Sequence, residues 1–210
     1  MTRVKICGIT SEEDAEACLA HGADAMGFVF AESPRRVSVE RAREIIRSCG
    51  PFVTAVGVFV NSAVDEVRRT LDATGCALAQ LHGDESAEFV EALSPSRVIK
   101  AIRVGGDAGH ACERYRKARA ILLDTYVRGR AGGTGQRFDT SVAAALVWDG
   151  WRVIVAGGLT PDNVGEVVRT VRPYGVDVSS GVESKPGCKA PEKVAEFIAA
   201  VRAADNREVQ

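Results

Sequence analysis

Short apolar runs rich in β-branched residues alternate along this chain with longer stretches whose apolar positions recur at helical spacing. The runs are Val4–Ile9, Ala25–Phe30, Val53–Val60, Ala77–Leu81, Arg97–Ile102, Ala120–Leu123, Arg152–Ala156 and Val176–Ser179. Each is nearly continuous in apolar character, as expected for strands covered on both faces. Between them the pattern predicts helices over Ser11–His21, Ser38–Ser48, Ala63–Thr74, Glu85–Leu93, Asp107–Ala118, Asp139–Leu146, Pro161–Val171 and Pro191–Ala203. Start signals support two of them: Ser11 stands three residues before Asp14, and Thr160 precedes Pro161 at a first helical position.

Eight strands alternating with eight helices predict a parallel sheet with right-handed crossovers. Eight is also the number that closes a ring whose interior the side chains can just fill. The expected fold is therefore α/β, a single-domain (β/α)8 TIM barrel over residues 1–204, with an open doubly wound sheet as the runner-up. No linker-like composition break divides the 210 residues. The polar segment Asp205–Gln210 is expected to fray.

Composition narrows the function. The net charge is −1 with both signs spread along the chain, which speaks against a duplex nucleic-acid binder. No apolar run is long enough to cross a membrane as a helix. A strand begins almost at the first residue, leaving no room for a signal peptide, so a cytoplasmic protein is expected. The six cysteines, at 7, 18, 49, 76, 112 and 188, lack the paired spacing of a zinc site and read as reduced thiols.

Barrel enzymes carry their chemistry at the C-terminal ends of strands and in the loops that follow, and that rule selects residues. The first strand ends at Cys7 beside a glycine; this thiol is either a core filler or a reactive group. After the second, Ser33-Pro34-Arg35-Arg36 brings two guanidinium groups near the mouth, as anion forks or as solvated charges. The fourth ends with Gln80 and His82, which could line the wall or cap the strand. Asp124 closes the sixth, as a polar cap or an acid–base group, and a glycine-rich stretch from Tyr126 to Phe138 follows it. Gly157 and Gly158 after the seventh strand, and Ser180-Gly181 after the eighth, match the usual place for a phosphate in this fold. Turn glycines needing positive φ are the competing reading.

Taken together, the segments Val4-Lys5-Ile6-Cys7-Gly8-Ile9-Thr10, Gly27-Phe28-Val29-Phe30, Ser33-Pro34-Arg35, Gln80-Leu81-His82-Gly83, Leu122-Leu123-Asp124-Thr125, Gly132-Gly133-Thr134-Gly135, Ala156-Gly157-Gly158-Leu159 and Val176-Asp177-Val178-Ser179-Ser180-Gly181-Val182-Glu183 resemble those of the phosphoribosylanthranilate isomerase family. The resemblance runs from one end of the chain to the other. It implies an Amadori rearrangement in tryptophan biosynthesis, with Cys7 as general base and a protonated Asp124 as general acid. It further implies that Arg35 holds the anthranilate carboxylate. Gln80, His82, Gly133, Gly157, Gly158, Ser180 and Gly181 would complete the contacts to a small phosphorylated substrate. An imine serves as electron sink in such a reaction, so neither cofactor nor metal is expected. Two alternatives stand beside this reading: a dual-substrate isomerase also serving histidine biosynthesis, and a barrel that binds a phosphosugar without acting on it. The first is disfavoured because such enzymes generally carry paired aspartates at the first and fifth strand ends, where this chain has Cys7 and Lys100-Ala101-Ile102-Arg103.

Overall fold

All eight apolar runs become strands, and alternation within each sends one set of side chains into the ring and the other toward the helices. The computed structural model describes residues 1–104, 108–124 and 140–206. Strands β1 (Arg3–Cys7), β2 (Ala25–Val29), β3 (Thr54–Phe59), β4 (Leu78–Leu81), β5 (Val98–Arg103), β6 (Ala120–Asp124), β7 (Val153–Ala156) and β8 (Gly175–Val178) pair in parallel in chain order. β8 closes onto β1 with Asp177 opposite Lys5. The helices are α1 (Glu12–Ala20), α2 (Val39–Ser48), α3 (Val64–Thr74), α4 (Ala87–Ala92), α5 (Ala108–Glu113), α6 (Ser141–Trp148), α7 (Pro161–Val171) and α8 (Pro191–Asn206). The expected (β/α)8 barrel is what forms, and the ring is closed rather than open.

Ser11 does cap α1, accepting a hydrogen bond from the Asp14 N–H, and Thr160 with Asn163 forms a reciprocal capping box at α7. Several boundaries differ from the pattern. β1 stops at Cys7 rather than Ile9, because Gly8 takes a φ of 82° and turns the chain out of the strand. α5 is shorter than its apolar spacing implied. A small antiparallel hairpin, β9 (Glu183–Lys185) with β10 (Cys188–Lys189), follows β8; strands of three and two residues are too short to show any alternation.

The C-terminal expectation needs correction. α8 runs on to Asn206, and Asp205 accepts hydrogen bonds from the N–H and the hydroxyl of Thr2, both at 2.8 Å. A polar residue reads as frayed when its partner lies at the other end of the chain. Residues 207–210 lie outside the described residues.

Apolar packing occupies two shells. The larger lies between strands and helices and includes Ile6, Phe28, Phe59, Leu81, Leu123 and Phe197. The smaller fills the lower part of the ring with Val56, Ile99, Leu122 and Ile154. At the ring's N-terminal end, Asp24 ties three segments together. It accepts from the Val4 N–H at 2.9 Å, from Arg3 at 2.7 Å and from Arg202 at 3.0 Å.

Burial pushes the Asp24 carboxyl up, but the Val4 N–H and the two guanidinium groups outweigh it and hold the carboxyl below its ordinary value. A depressed folded-state value means that the stabilisation is complete above pH of about 4 and is lost as pH falls through that lowered value. Asp24→Asn is accordingly expected to cost about 1 kcal/mol at pH 7, allowing for solvent screening. The gap to the parent should narrow below pH of about 4, where the parent loses the same contribution. Urea midpoints measured for both proteins at pH 7 and pH 3 check this.

Candidate active site

Two cavities open at opposite ends of the ring. The one at the N-terminal end, about 370 Å³, is lined mainly by strand starts, and its Arg3 and Asp24 are spent on each other. The larger, about 550 Å³, lies at the C-terminal ends of the strands. Cys7, Arg35, Gln80, His82, Asp124, Gly157, Gly158, Ser180 and Gly181 all line it. The structure thus gathers nine of the ten residues selected by sequence around one space. The tenth, Gly133, lies outside the described residues, as does the glycine-rich stretch around it.

β1 delivers Cys7 to the floor of this cavity. Lys5 and Cys7 are two residues apart, so they share a face of the strand. Lys5 donates to Asp177 on β8 at 2.9 Å, with both side chains almost fully buried. Burial pushes the Cys7 thiol up; Lys5 and Lys189 pull it down, Asp177 opposes them, and burial prevails. The thiol form is therefore the resting one.

The loop after β2 brings Arg35, rather than the exposed Arg36, into the cavity. Its Nε and Nη2 each donate to Glu183 at 2.7 Å, a side-on pair. Glu183 also accepts from Lys189 at 3.0 Å, and Lys189 in turn donates to the carbonyl oxygens of Cys7 at 2.6 Å and Ser179 at 3.2 Å. The hairpin unforeseen in the sequence supplies both Glu183 and Lys189. Burial alone would raise the Glu183 carboxyl, but Arg35 and Lys189 hold it below its ordinary value. The Arg35 guanidinium is held above its own by the Glu183 hydrogen bonds. A guanidinium carries five N–H groups, and a side-on pair uses two. The end formed by Nη1 and the second Nη2 proton can still take another carboxylate.

Across the cavity, Gln80, His82 and Asp124 form a chain. Gln80 Nε2 stands 3.0 Å from His82 Nδ1, and His82 Nε2 stands 3.2 Å from Asp124 Oδ2. If the amide donates to Nδ1, the ring proton sits on Nε2 and faces Asp124 Oδ2. Gln80 Oε1 is buried and has no hydrogen-bond partner among the described residues.

The rim beside β7 and β8 is made of backbone. Gly157 and Gly158 adopt φ of 92° and 68°, a conformation that glycine reaches without strain. The approach at Gly181 is closer still: a Cβ there would lie 1.9 Å from the Leu159 carbonyl oxygen. The short turn Ser180–Val182 begins here, and the N–H groups of Ser180 and Gly181 have no acceptor among the described residues. Two glycine loops and a helical turn start make a cradle for an anion.

Sequence reading missed Lys5, Asp177, Glu183 and Lys189. For the first two a signal existed. A charged residue inside an otherwise apolar barrel strand, on the face shared with Cys7 or opposite it, must be paired indoors. Glu183 and Lys189 gave none, because their meeting depends on the hairpin.

Comparison with known proteins agrees with this geometry. The family model described as N-(5'phosphoribosyl)anthranilate (PRA) isomerase matches residues 4–200. An N-(5'-phosphoribosyl)anthranilate isomerase from Citrifermentans bemidjiense is 52% identical over 200 residues, covering 95% of this chain and 96% of the relative. The crystal structure of phosphoribosyl anthranilate isomerase from Thermotoga maritima superposes with a TM-score of 0.89 at 40% identity, over 97% of this chain and all of that one. Another phosphoribosyl anthranilate isomerase, solved in complex with reduced 1-(o-carboxyphenylamino)-1-deoxyribulose 5-phosphate, superposes with a TM-score of 0.85 at 38% identity, over 97% of this chain and all of that one. With a ring of eight strands, an acid–base cavity at its C-terminal end and matches that span nearly its whole length, the chain belongs to the N-(5'-phosphoribosyl)anthranilate isomerase family.

Proposed function

We propose that this chain converts N-(5'-phosphoribosyl)anthranilate into 1-(2-carboxyphenylamino)-1-deoxyribulose 5-phosphate, a step of tryptophan biosynthesis, with Cys7 as general base and Asp124 as general acid. One observation carries the assignment of roles: a thiol and a carboxyl group line a single cavity together with an arginine, one end of whose guanidinium has no partner among the described residues, and a backbone anion cradle. The substrate has a carboxylate at one end and a phosphate at the other. Both ends have a matching group, and the reacting carbons fall between Cys7 and Asp124.

The steps follow from that placement. Asp124 gives its proton to the ring oxygen as the C1–O bond breaks, and the anilino nitrogen lone pair forms a C1=N bond. The Cys7 thiolate then takes the proton from C2. The C2–H electron pair becomes a C1=C2 bond, the C1=N pair returns to nitrogen, and an enaminol results. Protonation of C1, with loss of the proton from the C2 hydroxyl as the C2=O bond forms, gives the ketone. His82 meets the carboxylate that Asp124 becomes after the first transfer, so it steadies the charge left behind. Gln80 Oε1 remains as a buried acceptor for a donor on the substrate. Holding both ends of the ligand replaces a search by an orientation, which is where much of the rate is gained.

Replacing Cys7 or Asp124 by alanine is expected to lower kcat on the order of 10²-fold or more, followed by loss of the substrate's anthranilate fluorescence. A Cys7→Ala protein that turns over as fast as the parent would remove the base assignment. Arg35→Ala should act chiefly on KM, since its contact with the carboxylate exists before and after the chemical step. Glu183→Gln should weaken the same hold more mildly by loosening the guanidinium; a KM equal to the parent's in both variants places the carboxylate elsewhere.

A further inference from the structure

Gly27 faces Cys7 in the register between β1 and β2, and the space its missing side chain leaves is filled from β1. A Cβ at position 27 would stand 2.7 Å from the Cys7 Sγ and 3.0 Å from the Lys5 Nζ. The thiol and the ammonium therefore lie no more than about 6 Å apart, within the range where one charge acts strongly on a titrating neighbour. On its other side Lys5 is held by Asp177. We propose that Lys5, anchored by Asp177 and given room by Gly27, is the counter-cation that makes the Cys7 thiolate accessible during turnover. Lys5 is thus a positioning residue that acts through Cys7, and the proposal rests on the reading of Cys7 as the base.

The charges around the thiol agree. On β1 stands Lys5, on β8 Asp177, on β10 Lys189, on β9 Glu183, and in the loop after β2 Arg35. These pairs hold three cations and two carboxylates, a net charge of one positive around the thiol before a substrate carboxylate meets Arg35. Asp14 of α1 sits behind Lys189, bonded to its backbone N–H at 2.8 Å rather than to its ammonium. Asp124 and His82 face the thiol from the far wall. Lys5 keeps its proton in spite of burial because Asp177 and Cys7 both favour the ammonium. When the thiol ionises, its proton leaves to solvent through the cavity mouth and Lys5 retains all three of its own. The thiolate then takes the substrate proton and is a thiol again.

A purely structural role makes a different forecast. If Lys5 only neutralises Asp177, the thiol should not respond to either residue. The test is the pH dependence of Cys7 alkylation by iodoacetamide, read on the Cys7 peptide alone by mass spectrometry, since Cys49 and Cys188 are more exposed than the buried Cys7 and would otherwise dominate the signal. Lys5→Met should move the alkylation midpoint up by about 1 to 3 pH units, and Asp177→Asn should move it down. Opposite directions are the signature, because damage to the fold would shift both the same way. Lys5→Arg should restore part of the parent profile. Should Lys5→Met leave Asp177 unpaired and the chain unfolded, Lys5→Met/Asp177→Asn removes the pair together, and its midpoint should still lie above the parent's. Midpoints equal to the parent's in the foldable variants would overturn the proposal. Loss of the base assignment is separately visible, as undiminished turnover in Cys7→Ala.

Discussion

Side chains of a strand in a closed ring have two directions available, and the inward one leads away from bulk water. In the lower part of this ring the inward positions are apolar: Val56, Ile99, Leu122 and Ile154. Higher up they include Cys7, Gln80, Asp124 and Asp177, while Lys5 stands between the two levels, bordering the apolar filling below and bonded to Asp177. A charge in such a place costs several kcal/mol unless it is met. Lys5 and Asp177 meet directly across the seam where β8 joins β1, at 2.9 Å. That pairing lets the apolar filling stop partway, which leaves a cavity above it with a thiol at its floor. Without it two buried charges beside the thiol would stand unmet.

The second ion-pair group does for the rim what the first does for the floor. Arg35, Glu183 and Lys189 are joined in series, and Lys189 reaches back to the carbonyl oxygens of Cys7 and Ser179. An arginine on a loop would ordinarily lose several rotamers on meeting a ligand. Here two of its N–H groups are already fixed by Glu183, so the end that meets a carboxylate is aimed beforehand. The same hairpin thus links Arg35, the proposed holder of one end of the substrate, to the backbone of Cys7, the proposed base. A change at either residue of the hairpin would be felt at both places.

Fold and site were legible to different depths. Eight runs separated by eight amphipathic stretches led to the closed ring, because burial on both faces leaves a strong continuous apolar signal. Strand ends then led to Cys7, Asp124, the Arg35–Arg36 pair and the glycine loops, since in this fold geometry restricts where chemistry can stand, and the family resemblance singled out Arg35. Boundaries were less legible: Gly8 ends β1 by a backbone angle, and α8 extends to Asn206, with Asp205 tied to Thr2 at the opposite end of the chain. The least legible part was the set of residues that surround the thiol. Lys5 and Asp177 stand 172 positions apart, and only closure brings them together. Glu183 and Lys189 need a five-residue excursion into a hairpin that no period-two pattern announces.

Burial of Cys7 is compatible with the proposed role of a base. A thiolate's power to take a proton grows with the pKa of its thiol, while the fraction of thiolate shrinks by the same change. A fully exposed thiol beside several cations would be a thiolate most of the time, weak as a base and open to oxidation. Cys7 is buried, and burial outweighs the nearby cations in pushing its thiol up, which favours the thiol form. Lys5 limits how far burial can carry that trend, and Asp177 limits Lys5 in turn. Three residues on two adjoining strands thereby set a compromise between strength and availability. Neither burial nor charge could reach it alone, because burial only raises the thiol and an unopposed ammonium only lowers it.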